Sequence, residues 1–139
     1  ETYFMTNMCP QNGGLNTGVW SKLETKIRGD WARDRNHVFA LVGPIFGEET
    51  GVLRRENGHD LPVPESFYAI VVTPMQYPYT PRADETLAFI IPQDPPTSDL
   101  ADYLTTVDAV EAASGLNFFP RFSTYYQSAV EAAESTTIW

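Results

Sequence analysis

A single cysteine, two histidines and nine basic residues are all that 139 residues provide of the side chains on which many functional sites depend. The lone thiol, Cys9, cannot close a disulfide within the chain, which leaves a buried thiol or a bridge to another segment. No apolar run approaches the roughly 20 residues that a membrane-spanning helix needs, so no membrane association is expected and the chain should be soluble. The amino terminus, Glu1-Thr2-Tyr3-Phe4, has no basic stretch leading into an apolar one, so a signal peptide is absent or already removed. Positive charge is also scarce: nine basic residues face eighteen acidic ones, a net charge of −9. On that count alone nucleic acid is an unfavourable partner, because affinity for phosphate comes largely from clustered Lys and Arg. The distribution softens the objection. Residues 1–40 hold five basic groups (Lys22, Lys26, Arg28, Arg33, Arg35) against four acidic ones, whereas the remaining 99 residues hold four against fourteen.

What is present is the composition of a globular protein, 42% hydrophobic and 13% aromatic, on a chain of ordinary domain size. One domain over residues 1–139 is the expectation. Tyr3 to Thr6 reads as a strand leaving into a loop at Pro10 and Gly13-Gly14. Trp20, Leu23, Ile27 and Trp31 recur at spacings of three and four, which predicts a helix from about Leu15 to Arg33 with one apolar stripe. That helix tolerates Gly18 and Gly29 at some cost, and Lys22, Lys26 and Arg33 fall on its opposite face. A β-rich run from His37 to Val42 is stopped by Gly43-Pro44, and residues 47–64 read as a surface hairpin or loop. Phe67 to Val72 is the next strand, Thr73 to Asp84 a proline-rich surface crossing, and Leu87 to Ile91 a central strand closed by Pro92. Val107 to Ser114 is a short helix with Gly115 as its C-cap, and Ser123 to Ser135 a second, peripheral helix. The layout is α+β: a mostly antiparallel sheet flanked by helices.

Four polar residues stand in suggestive order: Asn7 after the first strand, then Asn16, Glu24 and Arg28 on the helix. At 100° per residue Asn16 falls within the angular range of the apolar stripe, while Glu24 and Arg28 lie along its flank. An amide so placed at a helix start is either a cap or a ligand. Glu24 and Arg28 by themselves are an ordinary i,i+4 ion pair, contributing about 0.2–0.5 kcal/mol.

The run Thr6-Asn7-Met8-Cys9-Pro10-Gln11, followed by Leu15-Asn16-Thr17-Gly18-Val19-Trp20, Leu23-Glu24 and Arg28, resembles the signature of the DNA/RNA non-specific endonucleases, the ββα-metal group. The similarity continues through Val42 to Phe46, Val63 to Tyr68, Leu87 to Pro92 and Val107 to Phe119, so that nearly the whole chain is accounted for. The resemblance implies the ββα-metal nuclease fold and hydrolysis of phosphodiester bonds in both DNA and RNA. It implies Asn16 as the one direct protein ligand of Mg²⁺, with Mn²⁺ as a substitute, and Glu24 as a water-mediated one. It further implies Arg28 beside the phosphate and Asn7 orienting its neighbours. The family's general base is the histidine of an Asp-Arg-Gly-His motif on the first strand of the ββα unit. Neither that motif nor its strand is in this sequence, so a second chain, a cleaved segment or a stretch simply outside these residues is expected to carry it. Asp34-Arg35-Asn36-His37 imitates the motif but follows the helix, where a helix-to-strand turn belongs, and His59 reads as a solvated loop residue. A pseudo-nuclease that binds without cutting is the alternative. Secretion or a periplasmic location is what the microbial members suggest, and homo-oligomerisation is left open.

Overall fold

The structure, a computed structural model, describes residues 8–48, 51–54, 56, 58, 60–73, 85–135 and 137–139. In chain order the elements are α1 (Gly13–Thr17), α2 (Val19–Thr25), a π-helical segment (Lys26–Trp31), α3 (Ala32–Asp34), β1 (Phe39–Ile45), β2 (Gly51–Leu53), β3 (Leu61–Val63), β4 (Ser66–Val72) and β5 (Thr86–Pro92). A 3₁₀ turn (Leu100–Tyr103), β6 (Leu104–Thr105), α4 (Val107–Ser114) and α5 (Thr124–Glu131) complete the described chain. Strands β1-β4-β5-β6 form one antiparallel sheet, and β2 and β3 pair as a separate hairpin within the stretch expected to be one.

The period-2 alternation of strands decides how this sheet is covered. Phe67, Ala69 and Val71 of β4 and Leu87, Phe89 and Ile91 of β5 point to one face, where they meet Leu15, Val19, Trp20, Leu23 and Trp31 of the amino-terminal helices. Tyr68, Ile70 and Val72 of β4 and Ala88 of β5 point to the other, against Val107, Val110, Phe119 and Val130. The outcome is helix, sheet, helix, as the α+β reading expects. Burying each of these large side chains stabilises by about 1.5–3 kcal/mol, which is why near-continuous apolar runs sit in the two middle strands. The first face is the more aromatic: Trp20 lies 5.6 Å from Phe67, and Trp31 stacks at 6.4 Å over Phe89.

Two sequence expectations need correction. Strand β1 runs through Gly43-Pro44 to Ile45, because it is an edge strand among the described residues and a proline there forfeits no hydrogen bond to a second neighbour. The long helix is not continuous. It breaks at Gly18 and widens into a π turn at Lys26, although its inward stripe of Trp20, Leu23 and Trp31 is buried and Ile27 is packed against them as expected. Helix α4 matches its expected bounds: Thr106 Oγ1 accepts the Ala109 N–H at 3.1 Å, and Gly115, at φ +71°, closes the carboxyl end as only glycine does readily. Tyr3 to Thr6 and Pro74 to Asp84 lie outside the described residues.

Candidate functional site

The site helix begins where the chain is tied to the far end of β5. Gln93, buried just past β5, accepts the Asn12 N–H with its Oε1 at 2.8 Å and donates its Nε2 to the Pro10 carbonyl at 2.9 Å. Asn12 Nδ2 donates to Asp94 Oδ1 at 2.8 Å. Asn12, and not Asn16, is the N-cap residue, and its side chain reaches Asp94 in place of capping the helix.

Gly18 then sets the phase. Its φ of −97° and ψ of −116° lie outside the helical region, and a Cβ at this position would collide with the Gly14 carbonyl oxygen. With the break there, Leu15 turns fully into the core and Asn16 faces solvent. The expectation that Asn16 shares the apolar face is therefore wrong, since it assumed one unbroken 100° progression. The Asn16 N–H is used inside the helix, bonded to the Asn12 carbonyl at 2.9 Å, while its side-chain amide makes no hydrogen bond to any described residue. It is a rigidly carried, uncommitted oxygen donor.

Further along, Arg28 Nη2 lies 3.5 Å from Glu24 Oε2, with side chains 74% and 49% exposed. The pair straddles the junction of α2 with the π segment, a geometry often found at functional sites. At this exposure the pair adds a few tenths of a kcal/mol at most, so stability alone does not require it. Asn16 precedes Glu24 by eight residues, with the break at Gly18 between them. The described residues thus bring Glu24 and Arg28 together and carry Asn16 on the separate helix α1. Asn7 lies outside the described residues, as does His59. His37 is exposed in the turn after α3, its N–H bonded to the Arg35 carbonyl at 2.7 Å beside Asn36 at φ +64°, which is the helix-to-strand turn expected there.

The sequence profile of DNA/RNA non-specific endonucleases matches residues 1–124. This chain belongs to that endonuclease family. A nuclease of Serratia marcescens is 27% identical over 116 residues, covering 81% of this chain and 41% of its own length. The mitochondrial nuclease EXOG of Xenopus laevis is 28% identical over 130 residues, covering 87% of this chain and 36% of its own. In solved structures, a chain of the EndoG/EndoGI complex superposes with a TM-score of 0.65 at 20% identity, over 88% of this chain and 52% of the other. The fold is accordingly that of the ββα-metal nucleases. The chain spans about four-tenths of the length of these curated relatives.

For the metal that the family resemblance implies, the donors fit in type: an exposed amide oxygen on Asn16 and an exposed carboxylate on Glu24 are oxygen ligands of the kind a hard divalent cation takes. Two anchors of this candidate site were not visible in its motifs. Gln93 and Asp94, read only as a connector, fix the entry of the site helix, and their one signal was a pair of polar residues wedged between Pro92 and Pro95. Trp139 is the other. Its carbonyl accepts the Trp31 indole N–H at 2.9 Å and its ring lies 4.1 Å beneath the Arg35 guanidinium, locking the helix end. Cys9 is half-buried against the core below the same helix, and burial pushes its thiol above the usual range.

Proposed function

We propose that this chain is the metal-holding part of a divalent-metal-dependent, sugar-non-specific endonuclease that hydrolyses phosphodiester bonds of DNA and RNA. The observation that carries the reading is Asn16: an exposed amide without a hydrogen bond among the described residues, on a helix held by Gln93, Asp94 and a buried aromatic stripe. Neither packing nor capping uses this side chain, and its match to the family signature supports a ligand role. Mg²⁺, or Mn²⁺ in its place, would be held by Asn16 directly and by Glu24 through water, and supplies positive charge where the phosphate and its leaving oxygen grow more negative. Arg28, exposed and steadied by Glu24, offers its guanidinium to the phosphate. Asn7 orients the neighbouring groups. Addressing phosphate and not base edges accounts for acceptance of both sugars, and it needs only local positive charge, so a net charge of −9 is no obstacle.

The base that would take the water's proton is the histidine of an Asp-Arg-Gly-His segment that residues 1–139 do not contain, with the β1 edge as the place for it. There Phe39, Leu41 and Val42 stand exposed, beside a cavity of about 550 Å³ lined by Met8 to Gln11, Trp20 and Phe46. Purified residues 1–139 should therefore cut plasmid and RNA only when complemented by that segment. In the complemented enzyme Asn16→Ala should lower turnover by about 10³ or more and Arg28→Ala by about 10²–10³, while Lys22→Ala leaves it nearly unchanged. Turnover of one short duplex across a Mg²⁺ series, with melting of each variant, checks this. Equal rates for Asn16→Ala and Lys22→Ala would remove the metal assignment, and cutting by the chain alone that is lost in His37→Ala would move the base to His37.

A further inference from the structure

Behind the sheet, on the face away from Asn16, three acids converge. Asp108 and Glu111 lie one turn apart on α4, Glu131 ends α5, and one carboxylate oxygen from each lies within 4.8 Å of the others. Among the described residues no Lys or Arg is bridged to any of them. Glu131 is only 6% exposed, and its Oε1 is buried without a hydrogen-bond partner. Its position at the carboxyl end of a helix, where carbonyl dipoles present negative charge, makes the carboxylate less favourable still. Glu111 is fixed: its Oε1 accepts the Phe118 N–H at 2.7 Å, which anchors the loop leading to α5. Burial, with Glu111 and Asp108 nearby, pushes the Glu131 carboxyl above its usual range. A carboxyl so placed either holds its proton or, as an anion beside two more, needs a cation to join them.

We propose that Asp108, Glu111 and Glu131 form a divalent-cation site, separate from Asn16, that binds Ca²⁺ and ties α5 to α4. All donors are carboxylate oxygens, the ligands that hard cations take. They come from two separate helices, and Ca²⁺ accommodates such donors with six to eight ligands and variable angles, whereas Mg²⁺ demands near-octahedral geometry and keeps its waters. The site is structural: it clamps the helix pair over Val107, Val110 and Val130 and plays no part in cleavage. It does not rest on the nuclease reading.

The test is calorimetric titration of Ca²⁺ into the metal-stripped chain, with melting followed in parallel for wild type, Glu131→Gln, Glu111→Gln and Asn16→Ala. One Ca²⁺ should bind per chain, and Tm should rise by several degrees at about 100 times Kd. Asn16→Ala should keep both effects, and either Gln variant should weaken binding at least tenfold. Both replacements preserve side-chain size, and circular dichroism verifies the fold. Absence of any Ca²⁺ response in wild type, or undiminished affinity in both Gln variants, overturns the site. Loss of the response in Asn16→Ala overturns its separateness, and a larger shift with Mg²⁺ than with Ca²⁺ overturns the choice of ion. If Glu131→Gln melts higher while wild type ignores Ca²⁺, a shared proton holds the acids together and the site is again overturned.

Discussion

The two faces of the sheet treat the same residue type in opposite ways. Glu24, over the face that packs Trp20 and Trp31, is half exposed and paired with Arg28, while Glu131, over the face that packs Phe119 and Val130, is buried with an unpartnered oxygen beside two more acids. Near Arg28 the chain spends its few cations, with Lys22, Lys26, Arg33 and Arg35 all on the same helix run. The α4–α5 side has Arg121 alone, exposed in the connection and bridged to none of the three acids. The difference teaches that a polar group's cost is set by water and partners and not by its identity. One face carries polar groups that water already satisfies, and the other carries a buried carboxylate oxygen that no hydrogen-bond partner reaches among the described residues.

The strongest way to test the faces against each other is in their cores. Phe89→Ala removes a fully buried ring stacked on Trp31 and should cost about 3–5 kcal/mol, whereas Ile70→Val on the opposite face should cost about 0.5–1.5 kcal/mol. Urea unfolding with unchanged m-values would check both. Next is the break that turns Asn16 outward. Gly18→Ala meets the Gly14 carbonyl and should destabilise by about 1–3 kcal/mol, while Gly29→Ala, with open space around the new methyl, should stabilise by about 0.5–1 kcal/mol. Equal melting of the two variants would show that the chain straightens at Gly18 without penalty.

A smaller effect separates the two glutamates by pH. With its folded-state carboxyl raised by burial first, then by Glu111 and Asp108, Glu131 contributes stability that is present below the unfolded carboxylate range and lost as pH rises through its own higher value. Metal-free wild type should accordingly lose stability between mildly acidic and neutral pH, and Glu131→Gln should flatten that part of the profile. A parallel profile for the two proteins would count against the buried-acid assignment. Smallest of all, a double-mutant cycle on Glu24 and Arg28 should return a coupling of about 0.2–0.5 kcal/mol that fades in salt. A coupling above 1 kcal/mol would mean that the pair is more sheltered than its exposure suggests.

The strands β4 and β5, helix α4 with its Thr106 and Gly115 caps, and the buried set Trp20, Leu23 and Trp31 were legible from period and composition, because each is dictated by neighbours in sequence. The family signature likewise rested on residue types at fixed offsets and needed no coordinates. What sequence alone could not settle is whatever depends on contacts between distant segments or on one backbone angle. Asn16 was put on the wrong side because a single unusual ψ at Gly18 shifts every residue before it, and no periodicity reveals that angle. The clamp of Gln93 on Pro10 and Asn12, 83 and 81 residues away in the chain, the seat of Trp139 under Arg35, and the meeting of Glu131 with Asp108 and Glu111 were decided by tertiary structure alone. Only a folded sheet brings such segments within hydrogen-bonding range, and only burial turns an ordinary glutamate into a perturbed one.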